Sequence, residues 1–144
     1  MVDRHLAAAK LAELADRIER IRTRCPATVD ELRRDRDALD LVSFNLMLAV
    51  QSCADIASHL IADEGWPSAS NLAGGFNRLR DEAVISAGTA DTLCRAVGLR
   101  NVVADGYAGI HPAMVHAAAL SGVRDLEAFA REVAQWIASR PGTA

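Results

Sequence analysis

Residues 28–65 read TVDELRRDRDALDLVSFNLMLAVQSCADIASHLIADEG, with no glycine or proline between Thr28 and Gly65. Leu39, Val42, Leu46, Ala49, Cys53, Ile56 and Leu60 recur every three or four positions, which is the spacing of one face of an α-helix. Thr28 followed three residues on by Glu31 has the form of a capping box, and Gly65 supplies a stop. The expectation is one helix of about 35 residues, roughly 50 Å long at 1.5 Å per residue. An element of that length sets the architecture, because shorter helices can bury their apolar stripes only by lying along it.

The flanking sequence supplies those helices. Ala7, Leu11, Leu14, Ile18 and Ile21 predict a first helix over residues 3–24, stopped by Pro26. Gly65-Trp66-Pro67-Ser68 reads as a turn, with Ser70 or Asn71 starting a third helix that ends near Ala87-Gly88. Thr89 is expected to cap a fourth helix, running through Leu93, Val97 and Arg100 to the glycines Gly106 and Gly109. Pro112 suits the first turn of a short fifth helix, which Ser121-Gly122 should break. A last helix carries the stripe Leu126, Phe129, Val133 and Ile137. No long stretch alternates with a period of two, so strands are not expected. The fold class is all-α, a bundle of about five or six helices around one very long one, in a single domain over residues 1–144.

Composition narrows the function classes. A chain of 144 residues buries roughly 68–70% of its unfolded surface and needs no disulfide or metal staple. The net charge of −3 excludes a generic cationic nucleic-acid binder, though local clusters can still hold phosphate. Cys25, Cys53 and Cys94 are odd in number and lack metal or redox spacing, so they read as reduced, mostly buried thiols. No metal or cofactor is expected. Met1-Val2-Asp3-Arg4-His5 has no signal-peptide pattern. Asp55, His59 and Asp63 interrupt the longest apolar stretches, so no membrane span is expected and the location is read as cytoplasmic.

Two constellations could carry chemistry. Gln51, Asp55 and His59 sit at i, i+4 and i+8 of the long helix and share a face, flanked by Ser52 and Ser58. That row is either a solvated face or a groove holding an acid–base pair. The second runs from Gly98 through Arg100, Asn101 and Asp105 to Gly106 and Tyr107. Arg100 and Tyr107 are about 700° of helical rotation apart and nearly share a face, while Asp105 lies about 140° from Arg100. On residues alone this is either a surface Arg100–Asp105 ion pair beside a packed tyrosine, or a site that converges where the helix ends or two copies meet. Trp66 and Trp136 read as packing residues. The mixed charges from Arg17 to Asp37 read as a solvated face or as the rim of a groove.

Residues 98–107 resemble the signature of HepT-type toxins of the HEPN superfamily: an arginine, a polar residue, then after four to six intervening residues a histidine, and a tyrosine two further on. Arg100, Asn101 and Tyr107 fit that pattern, with four residues between Arg100 and Asp105. The stretch from Ala49 to Ile61 resembles the family's long helix, and the order of helices fits along nearly the whole chain. The resemblance implies metal-independent RNA cleavage at a composite site across a homodimer. Arg100 would hold the scissile phosphate and Tyr107 would position RNA, with Asn101, Asp55, His59 and Gln51 binding RNA or supporting the site. It also implies a partner, a small Mnt-type nucleotidyltransferase antitoxin that transfers AMP to Tyr107. Added bulk and phosphate charge there would block RNA.

The departure is Asp105, which stands where the family has histidine. A carboxyl with a reference pKa of about 3.9 is almost never a proton donor near neutrality, and it sets a negative charge beside a phosphate. Losing a general acid–base group costs about 10²–10⁴ in rate. His111 and His116 lie outside the spacing and are not stand-ins. The expectation is a HepT-type toxin whose RNA cleavage is weakened or lost, through either an inactivating substitution or a lineage that kept binding alone. The rival readings are a non-catalytic accessory or substrate-binding subunit of a nucleotidyltransferase, and a structural helical adaptor.

Overall fold

The computed structural model describes residues 2–106 and 110–141. Its order is α1 (Arg4–Arg24), α2 (Val29–Arg34), α3 (Arg36–Glu64), α4 (Leu72–Asp81), α5 (Ala87–Asp105), α6 (Pro112–Ala117), a π-helical turn (Ala118–Gly122) and α7 (Val123–Ala138). There is no strand among the described residues. The segment from Pro112 to Ala138 runs without a break, so the described residues form six helical bodies. α3 packs against every other helix. Of its expected stripe, Val42, Leu46, Ala49, Cys53, Ile56 and Leu60 are buried, and Leu39 packs partly buried against them. Val50, Ala54, Ala57 and Ile61 are buried as well, because a central helix is covered on more than one side.

The structure corrects the long-helix boundary. The helix expected to begin at Thr28 is broken at Asp35, which has φ −106° and ψ 91°. Thr28 does cap α2, its hydroxyl accepting the Glu31 amide at 3.2 Å. The Asp35 amide then closes α2 on the Glu31 carbonyl at 3.1 Å, while its carboxylate accepts the Ala38 amide at 3.0 Å and opens α3. A short acid competes with the helix for backbone groups, and the bend lets Leu32 reach the core with no exposure. α3 is therefore 29 residues long, about 44 Å.

Two further boundaries move. α4 ends at Asp81, short of Ala87-Gly88. The turn that follows holds Ala83 at φ 59° and inserts Val84 and Ile85 into the core. Ser86, not Thr89, then caps α5, its hydroxyl accepting the Thr89 amide at 3.1 Å. Thr89 is buried instead, and its hydroxyl donates to the Glu132 carboxylate on α7. The other Glu132 oxygen accepts the Ser86 amide at 2.7 Å. Ser121-Gly122 does not break the final helices; the chain passes through the π turn, with the Ser121 hydroxyl donating back to the Ala117 carbonyl at 2.9 Å. Pro112 at the start of α6 and the left-handed Gly106 at φ 66° after α5 stand where the sequence put them.

Phe76 of α4 and Phe129 of α7 meet edge to face with ring centres 5.8 Å apart, and both are fully buried. α3 is long and apolar enough to cross a membrane by length and composition alone, yet just over half of its most apolar stretch is covered by the rest of the bundle.

Candidate functional site

Arg100 lies in the second half of α5, the helix closed by Gly106. It lines two cavities. The larger, about 700 Å³ and open to solvent, is lined by α3 (Ala54, Ser58, Ile61, Ala62), Trp66, Ser68, Ala69, Ser70 and Asn71, the start of α4, and Val97, Arg100 and Asn101 of α5. The smaller, about 300 Å³ and mainly apolar, lies between α3, α5 and the π turn, with Arg95 and Asp125 at its edge. The Arg100 Nε is buried and has no hydrogen-bond partner among the described residues. Its Nη1 donates to the neighbouring Asn101 Oδ1 at 3.0 Å. No ion pair joins Arg100 to Asp105 among the described residues. The surface pair that the sequence allowed is replaced by the Asn101 contact, as the rotation of about 140° between the two positions requires.

Among the described residues no aspartate or glutamate lines the larger cavity, although the chain carries a net charge of −3. An unpaired guanidinium in an acid-free hollow is a site for an anion, since a fork of N–H donors matches phosphate or carboxylate oxygens. The backbone contributes too. The Asn71 side chain caps the Gly74 amide at 2.7 Å, leaving the Leu72 and Ala73 amides of that first turn without an intrahelical acceptor.

The other sequence candidates fall in different places. Asp105 is exposed at the last turn of α5 and is not part of the cavity lining. Tyr107 lies outside the described residues. Gln51, Asp55 and His59 do not line the cavity either. Asp55 pairs with Lys10 of α1 at 3.9 Å, and His59 borders a shallow hollow with Val2, Asp3 and Lys10. From that row's neighbours only Ser58 reaches the Arg100 cavity. His111 is exposed at the start of α6. His116 is buried, with its Nε2 3.0 Å from the Pro26 carbonyl, so it serves the core.

Sequence reasoning missed Trp66, Ser68, Ser70 and Asn71 as cavity walls. The available signal was a turn followed by small polar residues just before a helix start, the pattern of an anion-accepting helix N-terminus. Among the arginines of the mixed-charge stretch, Arg20 and Arg33 pair with Asp16 and Asp30 on their own helices, and Arg22 with Glu127 of α7.

No thiol near the site is an activated nucleophile. Burial and the Asp91 carboxylate push the Cys94 thiol up, outweighing Arg80, and complete burial pushes Cys53 up strongly. Among the described residues no group of three or more His, Cys, Asp or Glu side chains is placed to hold a metal ion.

A family model described as ribonuclease HepT-like matches residues 14–133. The chain belongs to the ribonuclease HepT-like family. Solved structures share this fold. One is a toxin–antitoxin complex with AMP-PNP, with a TM-score of 0.85 and 22% identity, covering 92% of this chain and 99% of that one. Another is the tri-AMPylated HEPN toxin of Shewanella oneidensis in complex with its MNT antitoxin, with a TM-score of 0.84 and 24% identity over 94% and 99% of the two chains. The cytosolic protein YutE of Bacillus subtilis, of unknown function, aligns over 99% and 96% with a TM-score of 0.85 at 12% identity. No curated protein matches significantly. Arg100, Asn101 and Asp105 all lie within the matched region; Arg100 and Asn101 line the larger cavity, and Asp105 does not.

Proposed function

We propose that this HepT-like chain is the toxin component of a toxin–antitoxin pair, with an RNA site built on Arg100 and weakened by Asp105. The observation that carries the reading is the half-buried Arg100, its Nε unpartnered, on the wall of a large acid-free cavity inside the family-matched region. Arg100 would bind the phosphate to be cleaved and stabilise charge growing on it. Asp105, exposed at the end of the same helix, would put a carboxyl group where the family resemblance expects the imidazole that moves a proton.

The remaining parts of the reading rest on family membership and surface chemistry. The expected partner is a small nucleotidyltransferase antitoxin, and Tyr107 is the residue that would receive AMP. The similar fold of an AMPylated toxin bound to its antitoxin supports both. A homodimer is supported by Leu41, Phe44, Met114 and Leu120, large apolar side chains left exposed on α3, α6 and the π turn. The non-catalytic accessory-subunit reading is favoured by one observation, the carboxylate at Asp105.

The test is growth and RNA profiling after expression without an antitoxin. It compares the chain as it stands, Asp105→His, and Asp105→His combined with Arg100→Ala. Arrest and RNA cleavage by Asp105→His alone are expected. If all three are harmless, the ribonuclease reading fails and the accessory-subunit reading replaces it.

A further inference from the structure

The cavity is far larger than a phosphate requires, and its wall away from Arg100 is not anion chemistry. At about 700 Å³ it falls in the range of small-molecule sites, which run from about 300 to 1,000 Å³. Trp66 forms part of that wall. It is set by the end of α3, where Gly65 takes φ 70° and the Trp66 amide donates to the Ile61 carbonyl at 3.0 Å. Trp136 braces it, with ring centres 5.8 Å apart at a 60° tilt. The Arg140 guanidinium covers Trp136 in turn, 4.3 Å from its ring centre. Trp66 is thus a held, half-exposed aromatic surface. The same cavity is lined by Ser58, Ser68, Ser70, Asn71 and Asn101, neutral groups that exchange hydrogen bonds with hydroxyls.

We infer that this cavity is a nucleotide subsite, taking a nucleoside monophosphate unit with its phosphate toward Arg100 and the first turn of α4, its sugar among the serines and asparagines, and its base against Trp66. The inference rests on the reading that Arg100 is a phosphate-holding group, and adds the residues that would hold the neighbouring base. A flat π-face suits any base, so stacking on Trp66 gives affinity with little sequence preference. Hydrogen bonds from Asn71 and Ser70 would set what preference exists.

Calorimetric titration of the full chain with AMP, adenosine, inorganic phosphate and an adenylate-ended RNA trinucleotide tests it. AMP should bind more tightly than adenosine or phosphate. Trp66→Leu should weaken AMP about tenfold, the scale of one base stack, and leave phosphate unchanged. Ala62→Glu changes an exposed helical position on the cavity wall and should abolish AMP binding, whereas Ala62→Lys should keep it. These surface variants protect the test should Trp66→Leu fold poorly. Tighter binding of the trinucleotide than of AMP assigns the cavity to an RNA chain, and the reverse assigns it to a free nucleotide. AMP binding no tighter than phosphate, or indifferent to Ala62→Glu, overturns the inference. RNA cleavage by Asp105→His together with absent AMP binding removes the subsite and leaves the ribonuclease reading intact. AMP binding with the expected variant pattern but no cleavage does the opposite.

Discussion

Arg100→Met is expected to make the protein more stable while removing its anion site. The Arg100 Nε is buried without a hydrogen-bond partner, and an unsatisfied buried donor costs about 1–3 kcal/mol. What the side chain regains is one hydrogen bond, from Nη1 to Asn101 at 3.0 Å, which at an exposed position next in sequence falls at the low end of the about 0.5–1.5 kcal/mol of a typical hydrogen bond. Methionine keeps a straight chain with good helix propensity and fills the same space beside Leu99 and Val97 without a donor. The balance favours the variant by about 1 kcal/mol, or roughly 3 °C in Tm for a chain of this size. Urea and thermal unfolding of the ligand-free protein, at one fixed protein concentration, measure it. A loss of 1 kcal/mol or more would show that Arg100 stabilises the fold, and the argument that it is held ready for a ligand would fail. The expected gain belongs to a familiar pattern in which a binding residue is kept at a cost to stability.

Three other outcomes follow from the packing and the charges. Phe129→Ala opens a hole against the fully buried Phe76 and should cost about 3–5 kcal/mol, read from the urea midpoint. Gly75→Ala places a methyl 3.8 Å from the Ala57 Cβ and should stabilise α4 by up to about 1 kcal/mol. Gly74→Ala instead crowds Asn71 Oδ1 at 3.1 Å and Ala69 Cβ at 3.2 Å, so it should show no such gain; a larger gain at Gly74 than at Gly75 would contradict the cap geometry. Burial raises the Glu132 carboxyl, but hydrogen bonds from Thr89 and Ser86 outweigh it and hold its pKa below the ordinary value. A depressed folded-state pKa contributes stability that is present above the unfolded pKa, about 4.3, and lost as pH falls through the folded one. Glu132→Gln should therefore lower the urea midpoint at pH 7 and narrow its gap to the parent protein below pH 4; an equal gap at both would sink the assignment.

The candidate site was only partly legible. Arg100 and Asn101 were singled out from the sequence, and both reach the cavity. The Gln51, Asp55 and His59 row was equally visible, yet Asp55 turns to Lys10 on α1. Helical spacing states which side chains share a face, and it does not state which neighbour covers that face. Trp66 and Asn71 were invisible as site residues for the converse reason. They share a cavity with Arg100 only because α3, α4 and α5 pack on one another in the folded chain.

The sequence by itself determined what local chemistry controls. The all-α class, the buried stripes of α1, α3 and α7, the Thr28 cap, the Gly106 stop and the Pro112 start all follow from interactions within a few residues along the chain. Tertiary structure decided wherever a local preference competed with burial. Asp35 breaks the long helix so that Leu32 can enter the core. Ser86 takes the cap from Thr89 because Val84 and Ile85 are drawn inward and Glu132 claims the Thr89 hydroxyl. Ser121-Gly122 stays helical through a π turn because Ala119 and Val123 on either side are both buried. In each case burial of apolar side chains, at about 25 cal/mol per Å², outweighs a turn or cap preference worth about 1 kcal/mol.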